Sequence, residues 1–207
     1  TSKTLWEYSQ KISSIREMIP NYEVDYNDIV KTLKESVFER KTQMTVHMQL
    51  LQKQTDNLLS YEKGLASFID KHTISIKKED GSTKLITAEN VLITSGSRPR
   101  YLPNIAIDEQ IIMTSNGVKN LTELPKSIVV LGAGVIGCEF ATIFSNLGKT
   151  KVFLIDKADR ILPFEDEDVA EVVSENLEKH GAVIHHGASL KRMEIKDGEV
   201  EYELHYK

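Results

Sequence analysis

The chain begins with two segments in which apolar residues recur at helical spacing. The first, residues 4–19, ends at Pro20 and predicts a helix. The second, from Asp25 to Leu58, predicts a helix of about thirty residues, well above the globular mean of about 11–12. The apolar stripe of this long helix favours packing in a core, and an oligomer contact is the alternative.

The period of the pattern then shortens to that of strands. Residues 62–70, 72–77 and 83–87 alternate in the way that predicts a small antiparallel β-meander. An apolar run at 90–94 predicts a further strand, which leads into the sequence Thr94-Ser95-Gly96-Ser97-Arg98-Pro99. Small residues at the end of a strand allow a ligand to approach the backbone closely.

In the middle of the chain, an apolar run of β-branched residues is followed by a glycine turn and a helical pattern. The turn, residues 132–137, has the form G-x-G-x-x-G, and a second strand pattern at 151–155 ends at Asp156. In a βαβ unit this motif binds a dinucleotide: Gly132 makes the tight turn, Gly134 admits the pyrophosphate and Gly137 permits close helix–strand packing. The N–H groups and positive dipole end of the helix favour phosphate. The alternative is a packing-driven glycine turn in another α/β protein.

The last segment of the chain repeats the alternation of helix and strand. A helix over about 168–179, a strand over 182–186 and a hairpin around the turn 196–198 are predicted. The acidic run 165–168 is interpreted as a group of carboxylates at the start of this helix, where the helix dipole stabilises negative charge, in preference to a metal site. No metal site is predicted.

Composition narrows the possible functions. The 207 residues carry a net charge of −5, and the basic residues are scattered, so nucleic acid is not an expected partner. Apolar runs of membrane-spanning length and a signal-peptide core are lacking, so the default expectation is a cytoplasmic protein without a membrane partner. The one cysteine, Cys138, excludes an intrachain disulfide in these residues.

Three motifs together resemble the pyridine nucleotide-disulfide oxidoreductases, flavoproteins with two dinucleotide-binding folds. These are the segment 94–99, the stretch Gly132-Ala-Gly-Val-Ile-Gly-Cys-Glu139, and Asp159-Arg160-Ile161-Leu162-Pro163 before an acidic run. The resemblance implies that Thr94, Ser95 and Gly96 approach FAD. It also implies that the glycine motif binds NAD(P), with Val135 and Ile136 close to the nicotinamide or the pyrophosphate.

The start of the chain is similar to the segment that follows the redox disulfide of that family. Ser2-Lys3-Thr4-Leu5 matches it except that Thr1 replaces the usual proline. By this resemblance Lys3 is a catalytic residue beside the flavin, and Glu139 is the acid that pairs with it.

The fold that the resemblance implies is α/β and incomplete. Residues 1–120 would form part of an FAD-binding domain, with long helices and the β-meander, and residues 121–207 part of a Rossmann-like NAD(P)-binding domain. The chain would be the middle of a family member, and the full-length protein would be a homodimer.

The expected activity is hydride transfer between NAD(P)H and FAD. Within the family the branch of soluble NAD(P) transhydrogenases is the most similar. A dihydrolipoamide dehydrogenase or another disulfide reductase is the alternative, because the decisive cysteine positions would fall before Thr1. A catalytically silent binding module, with the long helix as its contact surface, is a third possibility. Asp156 favours NAD because its carboxylate would repel the 2′-phosphate of NADP, although Lys157 and Arg160 could moderate that repulsion.

Overall fold

The computed structural model describes residues 2–55, 58–103 and 105–207. It divides the chain into two compact units. The large unit comprises Thr1–Phe38 with Pro99–Lys207, and the small unit is Glu39–Arg98.

The large unit is built around a three-stranded parallel sheet with the order β4-β5-β6. Its strands are β4 (Ser127–Leu131), β5 (Lys151–Ile155) and β6 (Val183–His185), joined by the helices α3 (Val135–Leu147) and α4 (Glu167–Lys179). Parallel strands need such crossover helices, and apolar residues of both helices and of the strands form one core. Its buried members are Ala133, Cys138, Ala141, Phe144, Val152, Leu154, Ile161, Leu162, Ala170, Leu177 and Ala182. The predicted α/β fold is confirmed.

The first helix packs on the far side of α3. Helix α1 (Ser2–Met18) contributes Leu5 and Ile12 to a second core that also contains Ile143 and Leu147 of α3. The Arg16 guanidinium donates a hydrogen bond of 2.7 Å to the Leu147 carbonyl oxygen, at the end of α3. The start of the chain is thereby fixed to the helix that follows the glycine turn.

Two further strands complete the large unit as a hairpin. They are β7 (Ala188–Lys196) and β8 (Glu199–Tyr206), which pair antiparallel. The two loop residues, Asp197 and Gly198, have φ angles of +53° and +81°, the left-handed conformation that a two-residue type I′ turn requires. The predicted hairpin is confirmed.

The small unit has little buried apolar surface. Its meander consists of β1 (Leu65–Phe68), β2 (Thr73–Lys77) and β3 (Thr83–Thr87), paired antiparallel as predicted. Among its described residues, 39–55 and 58–98, only Ile76 is buried. The meander is therefore a pleated layer that packs on almost nothing within its own unit.

Two predictions about packing and pairing are wrong. Helix α2 (Tyr26–Gln54) forms, but the later part of its predicted stripe is not buried: Met44 is 63% exposed, and Met48 and Leu51 are only half-buried. Burial requires a facing apolar surface, and the core that α2 joins extends only to Leu33. The expected strand at 90–94 is absent: none of the strands in the described ranges pairs with this segment, and Leu92 is 86% exposed. An apolar run becomes a strand only where a neighbouring strand satisfies its N–H and C=O groups.

One helical segment besides α1 to α4 is short. It is the 3₁₀ turn Gly117–Asn120, which precedes β4. Within the part of the chain that the structure describes, every helix is too short or too polar to cross a bilayer.

Candidate functional site

The glycine turn connects β4 to α3 by a path that only glycine favours. Gly132 has a φ angle of +102°, and its N–H group donates to the Ile155 carbonyl oxygen of β5 at 2.8 Å. A Cβ atom placed on Gly137 would overlap the carbonyl oxygen of Gly132. These two glycines are therefore required by the turn and by the close approach of α3 to the sheet.

Gly134 is different, because the protein itself does not require a glycine there. Its φ and ψ angles are −77° and −174°, an extended conformation that any residue adopts. A Cβ atom placed on Gly134 would have no neighbour within 4 Å. The next two residues, Val135 and Ile136, are 65% and 60% exposed at the start of α3. The first N–H groups of a helix lack partners within it, so this open end is suited to an anion.

Asp156 lies beside this turn at the carboxyl end of β5. Its Oδ2 atom accepts a hydrogen bond of 2.6 Å from the Ala133 N–H group, and its Oδ1 atom accepts one of 2.8 Å from Ala158. The backbone N–H of Asp156 donates to the His185 carbonyl oxygen of β6 at 3.0 Å. The structure thus brings the carboxylate and the glycine turn together, at the edge of a parallel sheet where open α/β folds bind ligands.

The single cysteine lies directly beneath the turn. The Cys138 thiol is 5% exposed and donates to the Ala133 carbonyl oxygen at 3.4 Å. Burial, followed by the negative charge of Asp156, raises the pKa of this thiol to about 11. A thiol that stays protonated is a poor nucleophile, so Cys138 is a packing residue of this site.

A contact that the sequence did not predict lies on the other side of Ala133. The Leu162 N–H group donates to the Ala133 carbonyl oxygen at 2.8 Å, and Leu162 has a φ angle of +46°. The Arg160 guanidinium donates to the carbonyl oxygens of Leu162, Pro163 and Glu165 at 3.1, 3.2 and 2.9 Å. The only sequence signal for this arrangement was an arginine shortly before a proline. A proline lacks an N–H group, which leaves such a loop short of backbone donors.

The remaining predicted site residues are each described within their own unit. Thr94, Ser95 and Gly96 are exposed residues of the small unit, and Gly96 has a φ angle of +79°. Lys3 lies in the first turn of α1, where its Nζ atom is 3.9 Å from Glu7 Oε1.

Glu139 lies half-buried in α3. None of the ion pairs formed by residues 2–55, 58–103 and 105–207 joins Lys3 to Glu139. That pair, and the contacts of residues 94–96 with a flavin, stay predictions.

The acidic run before α4 lies where the helix dipole favours negative charge. Glu167 and Asp168 occupy the first turn of α4. In the described part of the chain, His, Cys, Asp and Glu side chains form no group of three that could hold a metal ion.

The whole chain, residues 1–207, matches the family model described as pyridine nucleotide-disulphide oxidoreductase. The chain belongs to this family, as its motifs predict.

Individual relatives extend this result. The chain is 39% identical over 153 residues to the dihydrolipoyl dehydrogenase of Bacillus subtilis, an alignment that covers 74% of this chain and 32% of that protein. It is 40% identical over 144 residues to the soluble pyridine nucleotide transhydrogenase of Colwellia psychrerythraea, with coverages of 70% and 31%. The chain therefore spans about a third of the length of these curated relatives.

Solved structures agree on the fold. The crystal structure of LpdA from Mycobacterium tuberculosis superposes with a TM-score of 0.83 at 26% identity, covering 98% of this chain and 44% of that one. The HOCl-induced flavoprotein disulfide reductase RclA from Escherichia coli gives a TM-score of 0.69 at 24% identity, with coverages of 98% and 42%. The second likeness supports the fold alone.

Proposed function

We propose that this chain provides the nicotinamide-nucleotide site of a flavoprotein that transfers hydride between NAD(P)H and FAD. The observation that carries the proposal is the open space at Gly134, beside the carboxylate of Asp156. A glycine whose Cβ would touch nothing has no packing role, so the free volume is available to a ligand.

The phosphate side of the nucleotide fits the glycine turn. The pyrophosphate would lie over Gly134, against the first N–H groups of α3, where the helix dipole favours an anion. Val135 and Ile136, exposed at the same end, would contact the nicotinamide or the pyrophosphate. Gly132 and Gly137 would support this contact by fixing the turn.

The ribose side fits Asp156. A carboxylate has about four acceptor positions, and the backbone occupies one on each oxygen of Asp156, which leaves acceptors for ribose hydroxyls. The same charge disfavours a 2′-phosphate, so we expect a preference for NAD(H). Lys157 is exposed, whereas the Arg160 guanidinium is already bonded to three carbonyl groups.

The flavin side is carried over from the family. When bound, the two cofactors supply the redox chemistry, and the chain supplies position and charge. Thr94, Ser95 and Gly96 would approach the flavin, while Lys3, oriented by Glu139, would balance negative charge near it. We retain the soluble transhydrogenase as the first hypothesis and a dihydrolipoamide dehydrogenase or other disulfide reductase as the alternative. A homodimer and a cytoplasmic location stay expectations for the full-length protein.

A second candidate function is a silent interaction module, favoured by the exposed apolar stripe of α2. The absorbance spectrum of the purified chain and its ability to oxidise NADH separate the two. A flavin spectrum with NADH oxidation supports the enzyme. A colourless chain that binds no nucleotide supports the module.

Titration calorimetry with NADH tests the nucleotide site. Gly134→Val should weaken NADH binding by at least about tenfold, because it fills the space that close approach to a pyrophosphate requires. The thermal midpoint should hardly change, since the Cβ atom that the variant adds has no protein neighbour within 4 Å. An unchanged NADH affinity in a folded Gly134→Val variant would refute the proposed site.

The preference for NAD(H) has its own variant. Asp156→Asn keeps an oxygen acceptor near Ala133 but removes the charge. The affinity for NADH relative to NADPH should fall by about tenfold, since the repulsion of the 2′-phosphate disappears. A constant ratio would show that Asp156 does not discriminate between the two nucleotides.

A further inference from the structure

The short loop of residues 161–165 supports the glycine turn from the side opposite Asp156. The Leu162 N–H group donates to the Ala133 carbonyl oxygen at 2.8 Å, and Ala133 stands between Gly132 and Gly134. The N–H group of Ala133 donates in turn to Asp156 Oδ2 at 2.6 Å. Both backbone groups of Ala133 are therefore held, one by the carboxylate and one by Leu162.

Leu162 is itself in a conformation that needs support. Its φ angle of +46° is left-handed, which side chains other than glycine rarely adopt, and its side chain is buried at 9% exposure. Such a conformation persists where the surrounding bonds over-determine it. Here the Leu162 carbonyl oxygen accepts from the Glu165 N–H at 3.0 Å and from the Arg160 guanidinium at 3.1 Å.

The Arg160 guanidinium stabilises the loop by donating hydrogen bonds to the carbonyl groups of the loop residues. Its Nη1 atom donates to the Leu162 carbonyl oxygen, and its Nη2 atom donates to the carbonyl oxygens of Pro163 at 3.2 Å and Glu165 at 2.9 Å. The planar guanidinium carries five N–H donors in a fixed fork, so one side chain can hold several acceptors at once. A lysine ammonium is a point charge on a flexible stem and cannot reproduce this geometry.

We propose that Arg160 is a positioning residue for dinucleotide binding. By binding the carbonyls of Leu162, Pro163 and Glu165 it keeps the Leu162 N–H on Ala133, and so fixes the path of the turn around Gly134. The inference rests on the proposed function, since the turn it positions is the proposed pyrophosphate site. It also gives a different role to Arg160, which the sequence presented as a charge that could moderate the repulsion between Asp156 and a 2′-phosphate.

The two possible roles of Arg160, positioning the turn and binding a 2′-phosphate, predict different effects on the affinities for NADH and NADPH. A residue that positions the turn affects the pyrophosphate, which NADH and NADPH share. A residue that binds the 2′-phosphate affects NADPH alone. Calorimetric titration of Arg160→Ala and Arg160→Lys with both nucleotides therefore separates them.

We expect both variants to lose affinity for NADH and NADPH by the same factor, on the order of tenfold, as for a small displacement of a binding group. Arg192→Ala is the matched control, because Arg192 is an exposed arginine of β7 that pairs with Glu194 and Glu201. It should leave both affinities unchanged. A loss confined to NADPH, full recovery in Arg160→Lys, or an unchanged NADH affinity in Arg160→Ala would each overturn the proposal.

Hydrogen exchange gives a readout that needs no nucleotide. In Arg160→Ala the Leu162 amide should exchange at least about tenfold faster than in the wild-type chain, while the amides of β5 keep their rates. An unchanged Leu162 rate would overturn the proposal even if binding weakened. If the wild-type chain binds neither nucleotide, the proposed function fails, and this exchange rate still decides whether Arg160 holds the loop.

Discussion

The two compact units of the chain differ in what holds them together. In the large unit, three strands and their crossover helices enclose a continuous core, in which Leu154 is fully buried and Leu177 is 1% exposed. In the small unit, the apolar residues of the strands remain largely on the surface: Leu65 is 76% and Leu85 59% exposed. Backbone hydrogen bonds join its strands, and salt bridges at its surface, rather than a buried core, add the side-chain contacts.

Helix α2 shows both conditions within one element: apolar side chains near its start are buried, and later ones are exposed. Ile29, near its start, is 3% exposed, whereas Phe38 and Met44 are 71% and 63% exposed. The helical repeat is the same at both ends, so the repeat alone does not decide burial. A facing apolar surface decides it, and that surface comes from residues distant in the sequence.

The largest expected effect comes from truncating matched leucines in the two units. Leu154→Ala in β5 should lower the free energy of unfolding by about 2–5 kcal/mol, because it leaves a cavity in a closed core. Leu65→Ala in β1 should change it by less than about 0.5 kcal/mol, because that side chain is already in solvent. Denaturant unfolding followed by Trp6 fluorescence reports on the large unit, and strand-amide exchange reports on each unit separately. An equal loss of unfolding free energy in both variants would contradict this difference between the units, because it would show that β1 is covered in solution.

The same contrast explains how far the sequence could predict the structure. Local signals were sufficient for the βαβ unit, because its glycines, strand runs and Asp156 follow one another within about thirty residues. They failed for the strand at 90–94 and for the stripe of α2, where the outcome depends on a partner surface.

The site shows the same division between local and distant signals. The approach of Asp156 to Ala133 follows from the motif. The hydrogen bond from Leu162 to Ala133 cannot be predicted from the motif, because it requires a left-handed backbone conformation at Leu162 that no residue pattern indicates. The sequence showed Arg160 only as part of a family motif and as a charge near Asp156, whereas in the structure its guanidinium binds three backbone carbonyls.

A second prediction uses the buried thiol of the large unit. The pKa of Cys138 is raised from 9.0 to about 11, chiefly by burial and secondarily by Asp156. The folded chain therefore keeps this proton to higher pH than the unfolded chain does. Raising the pH from 9 to 11 then favours unfolding, so the free energy of unfolding should decline over that window.

Cys138→Ala is the matched variant for this decline. It removes the thiol but leaves the tyrosines, which also titrate at high pH, so the difference between the two pH profiles isolates Cys138. Alkylation of the folded wild-type chain at pH 8 should be slow and should accelerate on unfolding. Rapid alkylation of the folded chain would mean that the thiol is accessible and that the core around the turn is open.

The smallest expected effect belongs to the exposed charges of the small unit. Glu62 accepts from Lys84 Nζ at 2.5 Å and lies 3.1 Å from Lys78 Nζ, and these hydrogen bonds lower the pKa of its carboxyl group. A lowered pKa gives a stabilising contribution that is present above the ordinary carboxyl pKa of 4.5 and is lost as the pH falls through the lowered value. Because both lysine side chains are exposed and Glu62 is only half-buried, 1 M salt should weaken these two contacts. Carboxyl NMR titration of Glu62 in low and high salt measures the shift.

At pH values above 5, Glu62→Gln should make the amides of β3 exchange slightly faster. Glu89→Gln should not, because Glu89 is an exposed glutamate just beyond β3. If the Glu62 pKa stays low in 1 M salt, the small unit is more closely packed around this carboxylate than its exposed surface indicates, and the contrast between the two units narrows.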